Sequence, residues 1–307
     1  MQKIKFFPID FGVELNSSGK AIIQIFGNTI DGKKICVFDS TINPYFFVIP
    51  KQNHEELADK SLDINIVNGE ESFYVVDATI IEGYKFNNKP VKSIKVVVNT
   101  PKAIKIVKKA IETKIVNVEF AESDIPFIRR YILDKKITPL GLTEVEGDIV
   151  DRSDIRVDFG VNADSIQPFG DDFFDNPRML AFDIEVYIQE KRYPIKERDP
   201  LVMVSFFGND GFKKVITWKK FKTNLDYIEF VDDEPSLISR FVNVINEYNP
   251  DYLVGYFTDG FDLPYIKARA SKYELKLKFR NSRLKISKHG NYGYAKIKGI
   301  VHLDVFK

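Results

Sequence analysis

Two kinds of hydrophobic pattern alternate along the chain, and an interruption between them divides it. Over the first ~135 residues, short apolar runs with a strand-like period predominate. Ala21 to Gly27 and Lys33 to Phe38 read as strands joined through the turn dipeptide Asp31-Gly32. Asn43 to Ile49, Phe73 to Ile80 and Val91 to Val98 read the same way, the last two separated by Asn87-Asn88-Lys89-Pro90. Asn53 to Lys60 has a helical pattern. A second helix starts where Thr100 offers a cap and Pro101 takes the first turn, with Ile104, Val107 and Ile111 repeating on one face. A strand at Ile115 to Phe120 closes the set.

From Leu140 to Pro177 the periodicity lapses. Gly141, Gly147, Gly160 and Gly170 mix with Asp171, Asp172 and Asp175, the composition of a connector, with one short strand at Ile155 to Phe159. Regular patterning resumes with strands at Met179 to Tyr187, Leu201 to Phe207 and Phe212 to Trp218. Asp233 can cap a helix from Glu234 to Tyr248, whose Leu237, Ile238, Phe241, Val242, Ile245 and Tyr248 fall at helical spacing. Asn249-Pro250 stops it, Asp251 to Tyr256 forms a further strand, and Phe261 to Tyr273 turns into another helix.

This order predicts an α/β (α+β) chain of two domains. Residues 1–139 form a mixed α/β domain with a ferredoxin-like layer, an architecture that also carries RNA-binding modules. Residues 140–177 form the connector, and residues 178–307 follow a ribonuclease-H-like order. A length of 307 residues agrees with about two domains, and an apolar fraction of 44% with 29% charged residues excludes global disorder. No run approaches the ~18 apolar residues of a membrane helix, and the first residues are too weakly apolar for a signal peptide. The single cysteine, Cys36, excludes an internal disulfide framework and a multi-cysteine zinc site. These features predict a cytoplasmic protein with no membrane partner.

The net charge of +1 names no partner; its distribution is more informative. Between Pro264 and Lys298 stand eleven basic residues, among them Lys267, Arg269 and Lys272, opposed only by Glu274 and interleaved with Tyr265, Tyr273, Phe279, Tyr292 and Tyr294. Such a mixture suits phosphate contacts and base stacking; it equally suits a solvated helix face followed by a lysine-rich hairpin.

The sharpest chemical signal is the strand Met179-Leu-Ala-Phe-Asp-Ile-Glu-Val-Tyr187. Leu180, Phe182, Ile184 and Val186 point one way; Asp183 and Glu185 point the other, about 6.5 Å apart along one face. Two acids side by side repel unless something positive neutralises them, so they suit a hard cation such as Mg²⁺ or Mn²⁺. Asp262, opening a helix after the strand Asp251 to Tyr256, adds a third carboxylate to the constellation of two-metal phosphodiester hydrolysis. Helix capping accounts for Asp262 alone, and solvated edge positions account for the pair alone. His302-Leu303-Asp304 alternates in a final strand, where a satisfied histidine is the simpler reading. No Gly-rich phosphate loop or nucleophile elbow occurs.

Leu-Ala-Phe-Asp183-Ile-Glu185 resembles the first exonuclease motif of family B DNA polymerases, and Gly-Tyr-Phe-Thr-Asp259-Gly-Phe261-Asp262-Leu-Pro-Tyr-Ile resembles the second. Ser123-Asp-Ile-Pro-Phe-Ile-Arg-Arg-Tyr-Ile-Leu-Asp134 is similar to the segment that ends their N-terminal domain, and Asn43-Pro-Tyr-Phe-Phe47, Lys89-Pro90 and Ile300-Val-His-Leu-Asp304 fit the archaeal branch. The resemblance covers nearly the whole chain. It implies the N-terminal domain plus most of a 3′–5′ proofreading domain, with Asp183, Glu185 and Asp262 as catalytic metal ligands for Mg²⁺ or Mn²⁺. It implies DNA as partner, both the single-stranded primer 3′ end and the template, with Phe261, Lys267, Arg269 and Lys272 in contact. A C-terminal polymerase region or subunit, and a sliding clamp engaged through it, complete the implied partners.

Two departures stand out. The family's last exonuclease aspartate, in a Tyr-x-x-x-Asp motif, and the polymerase aspartates are not reached before Lys307, so the fragment by itself is expected to be inactive or weakly active. Phe257 stands where the second motif usually has asparagine. The resemblance further implies an N-terminal uracil-sensing pocket at Phe11, Pro44, Pro90 and Ser93, in which Phe11 replaces the usual tyrosine and Ser93 the usual valine. Two alternatives fit the same residues: a stand-alone ribonuclease-H-like exonuclease drawing a fourth carboxylate from Asp304 or a partner chain, and a single-stranded DNA-binding protein whose chemistry has lapsed.

Overall fold

The computed structural model describes residues 1–114, 118–152, 154–189, 191–280, 282–289 and 292–306. Its backbone separates into two units, the first of Met1–Asp31, Ile35–Val150 and Gly160–Asp172, the second of Gly32–Lys34, Asp151–Phe159 and Phe173–Lys307. No helix among the described residues is long and apolar enough to cross a membrane.

The first unit begins with β1 (Gln2–Leu15), β2 (Ala21–Thr29) and β3 (Lys34–Asp39), continues through β4 (Tyr45–Pro50), α1 (His54–Leu62), β5 (Asn65–Asn68), β6 (Glu71–Phe86), β7 (Lys89–Val98), α2 (Pro101–Lys114), β8 (Val118–Ala121) and α3 (Phe127–Lys135), and ends with β9 (Gly141–Val150) and β10 (Phe159–Phe173). From β4 onward, strand, helix, three strands, helix and strand build a five-stranded sheet of order β5-β6-β7-β4-β8. The pairs β6–β7, β7–β4 and β4–β8 are antiparallel, which is the expected ferredoxin-like layer. Local signals set its parts. Asn87 and Asn88 both take positive φ, as a two-residue hairpin requires, and Thr100 Oγ1 accepts from the Ala103 N–H at the start of α2. The strand expected from Ile115 is described only from Val118; residues 115–117 lie outside the described residues.

The expected connector is corrected. Residues 141–150 and 159–173 are β9 and β10, which with β1, β2 and β3 close a five-stranded barrel. Gly147, which resembles loop punctuation, serves close backbone approach instead: a Cβ there would collide with the Asn162 carbonyl. Glu144 and Glu146 alternate with buried Thr143 and Val145, so the acids mark a strand's outer face. The short strand expected at Ile155 to Phe159 is a bend that leads into β10. β1 lies where no element is predicted, because a register shift between Pro8 and Asp10 sets buried Phe6, Pro8 and Phe11 out of simple alternation.

The second unit contains β11 (Met179–Val186), β12 (Leu201–Gly208), β13 (Lys213–Thr217), β14 (Ile228–Phe230), α4 (Glu234–Tyr248), β15 (Tyr252–Gly255), α5 (Asp262–Lys272), the short hairpins β16 (Lys278–Phe279) to β17 (Ser282–Arg283) and β18 (Lys285–His289) to β19 (Tyr292–Lys296), and β20 (Val301–Asp304). Its sheet has the order β14-β13-β12-β11-β15-β20. β11, β12 and β13 run antiparallel, while β15 and β20 lie parallel to β11, the expected ribonuclease-H-like arrangement.

α4 is built as its sequence predicts: Asp233 Oδ1 accepts from the Ser236 N–H at 2.8 Å, and Asn249 ends the helix in the left-handed region. Its apolar stripe covers one face of β11. Phe241 is fully buried, with ring centroids 5.5 Å from Phe182, 5.7 Å from Phe206 and 6.3 Å from Phe279. Phe241→Ala is therefore expected to cost about 3–5 kcal/mol, the usual range for emptying a large core site. Urea unfolding of the second unit measures it, and a cost below about 1 kcal/mol would show that Phe241 is not the centre of this core.

Candidate functional site: carboxylates at the parallel strand ends

β11 faces two environments. Leu180, Phe182 and Ile184 enter the core with α4, so Asp183 and Glu185 are necessarily exposed on the opposite face, across from Ser205 and Met203 of β12. Because β15 and β20 run parallel to β11, all three strands end at one edge of the sheet, the usual place for a ligand in such sheets. Gly255 ends β15, and the chain turns through Tyr256–Phe261 into α5, whose first residue is Asp262.

Asp262 is the unusual member. It is 3% exposed, and its Oδ1 is buried with no hydrogen-bond partner. Burial, followed by the negative charge of Asp183, pushes its carboxyl up to about 7, with Asp304 adding to the shift; the backbone N–H groups of Asp262 and Ile184 oppose it. A partnerless carboxylate oxygen pressed by two other carboxylates suits a hard divalent cation, and the all-oxygen donor set agrees. Among the described residues, no three His, Cys, Asp or Glu side chains are already gathered to hold a metal ion.

A second network positions the loop that delivers Asp262. Asp304, beside Gly255 at the end of β20, accepts from the backbone N–H of Phe257 at 2.7 Å and of Phe306 at 3.1 Å through Oδ1. Its Oδ2 accepts from the Asp259 N–H at 2.9 Å. The Nε2 of His302 lies 2.8 Å from the buried Thr258 hydroxyl. Its Nδ1 stands at ion-pairing distance, 3.0 Å, from Asp259 Oδ1 but out of hydrogen-bonding alignment. Burial holds the imidazole below its ordinary range against the pull of Asp259 and Asp304. His302 thus ties the strand end to the Thr258 turn through Nε2, while its Nδ1 is left without a hydrogen-bond partner, so the imidazole is only half satisfied. Asp259 appears in the sequence as a motif letter only, since the structural work of Asp259 and Asp304 depends on pairs 45 and 47 residues apart.

Phe257, in the position of the family's asparagine, has φ 57°, a conformation asparagine adopts more readily than phenylalanine. Its ring lies 4.9 Å from that of Phe306 and occupies the space that a Cβ on Gly260 would take.

The expected DNA contacts separate. Lys267 is half-buried and Lys272 exposed on α5, while Phe261 packs partly against the core with its ring 5.3 Å from Tyr265. Arg269 is corrected: it is 1% exposed and bound to Glu234, with Nε to Oε1 at 2.6 Å and Nη2 to Oε2 at 2.5 Å. Glu234 also accepts from the Leu201 N–H and the Tyr273 hydroxyl. Burial raises the Glu234 carboxyl, but these partners outweigh it and hold the group below its ordinary range. Arg269 therefore anchors α5 and is not available to DNA. No local pattern distinguishes this arginine from its solvated neighbours, because its partner is 35 residues away.

The four expected uracil-pocket positions occupy unlike surroundings: Phe11, Pro44 and Ser93 are buried and Pro90 is exposed. Ser93 Oγ and Asn43 Oδ1 are buried without hydrogen-bond partners.

A model of the family B DNA polymerase exonuclease domain matches residues 118–307. A DNA polymerase of Pyrococcus glycovorans is 30% identical over 294 residues, which are 95% of this chain and 33% of that protein. DNA polymerase 1 of Pyrococcus abyssi is 30% identical over 297 residues, with the same coverage. The solved family B DNA polymerase of Pyrobaculum calidifontis superposes with a TM-score of 0.76 at 24% identity, over 99% of this chain and 37% of that one. The chain thus spans about a third of the length of these relatives.

The raised Asp262 carboxyl fixes the sign of a pH effect. Its ordinary value is 3.8 and its folded value about 7, so the fold binds the proton more tightly than the unfolded chain does between these values. Stability falls as pH rises through that window, and the ionised group remains a burden above it. Asp262→Asn is expected to raise stability at pH 8 by roughly 1–3 kcal/mol in chelator and to change it little at pH 4. Thermal unfolding at the two pH values tests this, and a variant equally stabilised at both would refute the assignment of burden to the ionised carboxylate.

Proposed function

We propose a 3′–5′ proofreading function for this chain, starting from the premise that it belongs to the DNA polymerase family B exonuclease-domain family. In this reading it is the N-terminal portion of a cytoplasmic, DNA-directed family B polymerase engaged in replication, and residues 178–307 supply the proofreading nuclease. The observation that carries the proposal is Asp262: a buried, partnerless carboxylate oxygen destabilised by neighbouring acids, at the shared edge of three parallel strands.

Asp183 and Glu185 on β11, with Asp262 on α5, are the proposed holders of Mg²⁺ or Mn²⁺. When bound, the metal would supply Lewis-acid activation of the scissile phosphodiester in a two-metal hydrolysis. The protein's own contributions follow from its residues. Asp262 must give up its proton to take a cation, which ties cation binding to pH near neutrality. Asp304 holds the Phe257–Asp259 turn through two backbone N–H bonds, from Phe257 and Asp259, and so fixes where α5 begins. The Glu234–Arg269 pair fixes α5 from its other end. Exposed cations after Asp262 favour the phosphates of a single strand, whose unpaired 3′ end enters such a site more easily than a duplex. The polymerase region and a sliding clamp are the proposed partners of the whole protein.

For the first unit the proposal extends to sensing of template uracil at Phe11, Pro44, Pro90 and Ser93, supported by the partnerless Ser93 hydroxyl. Phe257, which lacks an amide, favours a second reading as a non-hydrolytic single-stranded DNA-binding segment.

Asp183→Ala in the polymerase containing this segment is expected to slow trimming of a mismatched 3′ end by at least about a hundredfold, a loss of a few kcal/mol of charge stabilisation. Extension from a matched end is expected to persist. Gel-resolved trimming measures both, and undiminished trimming by the variant would refute the catalytic assignment.

A further inference from the structure

α5 carries a second feature that the carboxylates do not use. Past its C-terminus the chain reverses at Glu274, whose φ is 55°, and the Leu275 N–H bonds back to the Ala270 carbonyl at 2.9 Å. The β16–β17 hairpin then returns beside the helix, with Lys278 paired to Arg283. Between helix and hairpin lies a cavity of about 180 Å³. Leu275, Leu277 and Leu284 form its apolar lining, while Lys267, Lys276 and Arg283 line it with charge. Leu277 and Leu284 are themselves 9% and 6% exposed and belong to the core, so the lining is anchored to the fold.

Charge and size restrict what fits. None of the three cations forms an ion pair with a described residue, and no acid lines the cavity. Like charges around one space are relieved by an anion. An apolar lining beneath them asks for a ligand that also has a flat, poorly hydrated face. The volume is well below the ~300–1,000 Å³ of a site for a drug-sized ligand, so the sheltered part takes about one ring system and the rest of the occupant lies toward solvent. A nucleobase against the leucines with its phosphate among the cations meets every one of these conditions.

The position relates the cavity to the carboxylates. Lys267 and Ser271 lie five and nine residues beyond Asp262 on α5, about 8–14 Å along the helix axis. That span is within a few nucleotides of a DNA strand. We propose that this cavity is a nucleotide seat, binding one base and its phosphate. The occupant is either a nucleotide of the strand whose 3′ end reaches Asp262 or a free deoxynucleoside monophosphate, the product of exonucleolytic hydrolysis. The assignment rests on the proofreading reading for its ligand and on the cavity for its place.

The test uses the 307-residue chain in chelator, so that binding is read without hydrolysis. Fluorescence anisotropy follows a labelled short oligothymidylate for the wild type and two variants. Ser271→Trp fills the cavity from the exposed helix face at constant charge, and is expected to weaken binding by at least about fivefold. Lys276→Gln with Arg283→Gln is expected to reduce the slope of log affinity against log salt by about 1.4, the value for two lost phosphate contacts on a single strand. As a guard against misfolding, Ser271→Cys alkylated after folding with a bulky maleimide must reproduce the loss; Cys36 is buried and protected. Displacement of the probe by thymidine monophosphate, abolished in Ser271→Trp, assigns the free nucleotide as occupant. No displacement, with the other losses retained, assigns the strand. Wild-type affinity in both filled variants overturns the proposal, whatever the charge variants do, because only a diffuse field would then remain. Asp183→Ala serves as the separating control: lost trimming dependence with intact cavity binding sinks only the nuclease reading, and the reverse sinks only the seat.

Discussion

A β-strand has two faces, and β11 must satisfy opposite demands on them. Leu180, Phe182 and Ile184 complete the core around Phe241, so the register of β11 is fixed by burial. Asp183 and Glu185 then have no choice of direction: a one-residue slip would bury both acids and expose the core residues. The placement of the carboxylates is thus a consequence of packing on the far side of the sheet. The parallel course of β15 and β20 does the rest, by bringing Asp262 and Asp304 to the same edge.

Much of this was legible wherever the determining contacts are local. The Asp233 cap, the Asn249 stop, the Asn87-Asn88 turn and the alternation of β11, which sets Asp183 and Glu185 on one face, are all settled within a few residues. Legibility failed where distance or irregularity intervened. The Pro8–Asp10 register shift concealed β1, and Gly147, which looks like a loop residue, is demanded by the approach of a strand about 15 residues onward. Arg269 was misread for the same reason. Its charge suggests solvent and phosphate, while its partner Glu234 belongs to a different helix.

The loop before α5 shows how constraint is distributed around the carboxylates. Asp304, Asp259, Thr258 and His302 spend their polar atoms on one another and on backbone N–H groups, leaving little slack between β15 and α5. Against that order, Phe257 retains a left-handed backbone that an aromatic residue adopts at some cost. The compensation visible in the structure is the edge-on contact with Phe306 and the space left by Gly260.

The Glu234–Arg269 pair has a consequence on an evolutionary scale. Replacing either partner alone strands an unpaired charge in the interior, a loss of about 3–5 kcal/mol and a large part of a domain's margin of stability. Replacing both with well-packed apolar residues is often neutral. The two positions are therefore separated from their apolar alternatives by a valley that single substitutions must cross, and a lineage that acquires the pair is held to it.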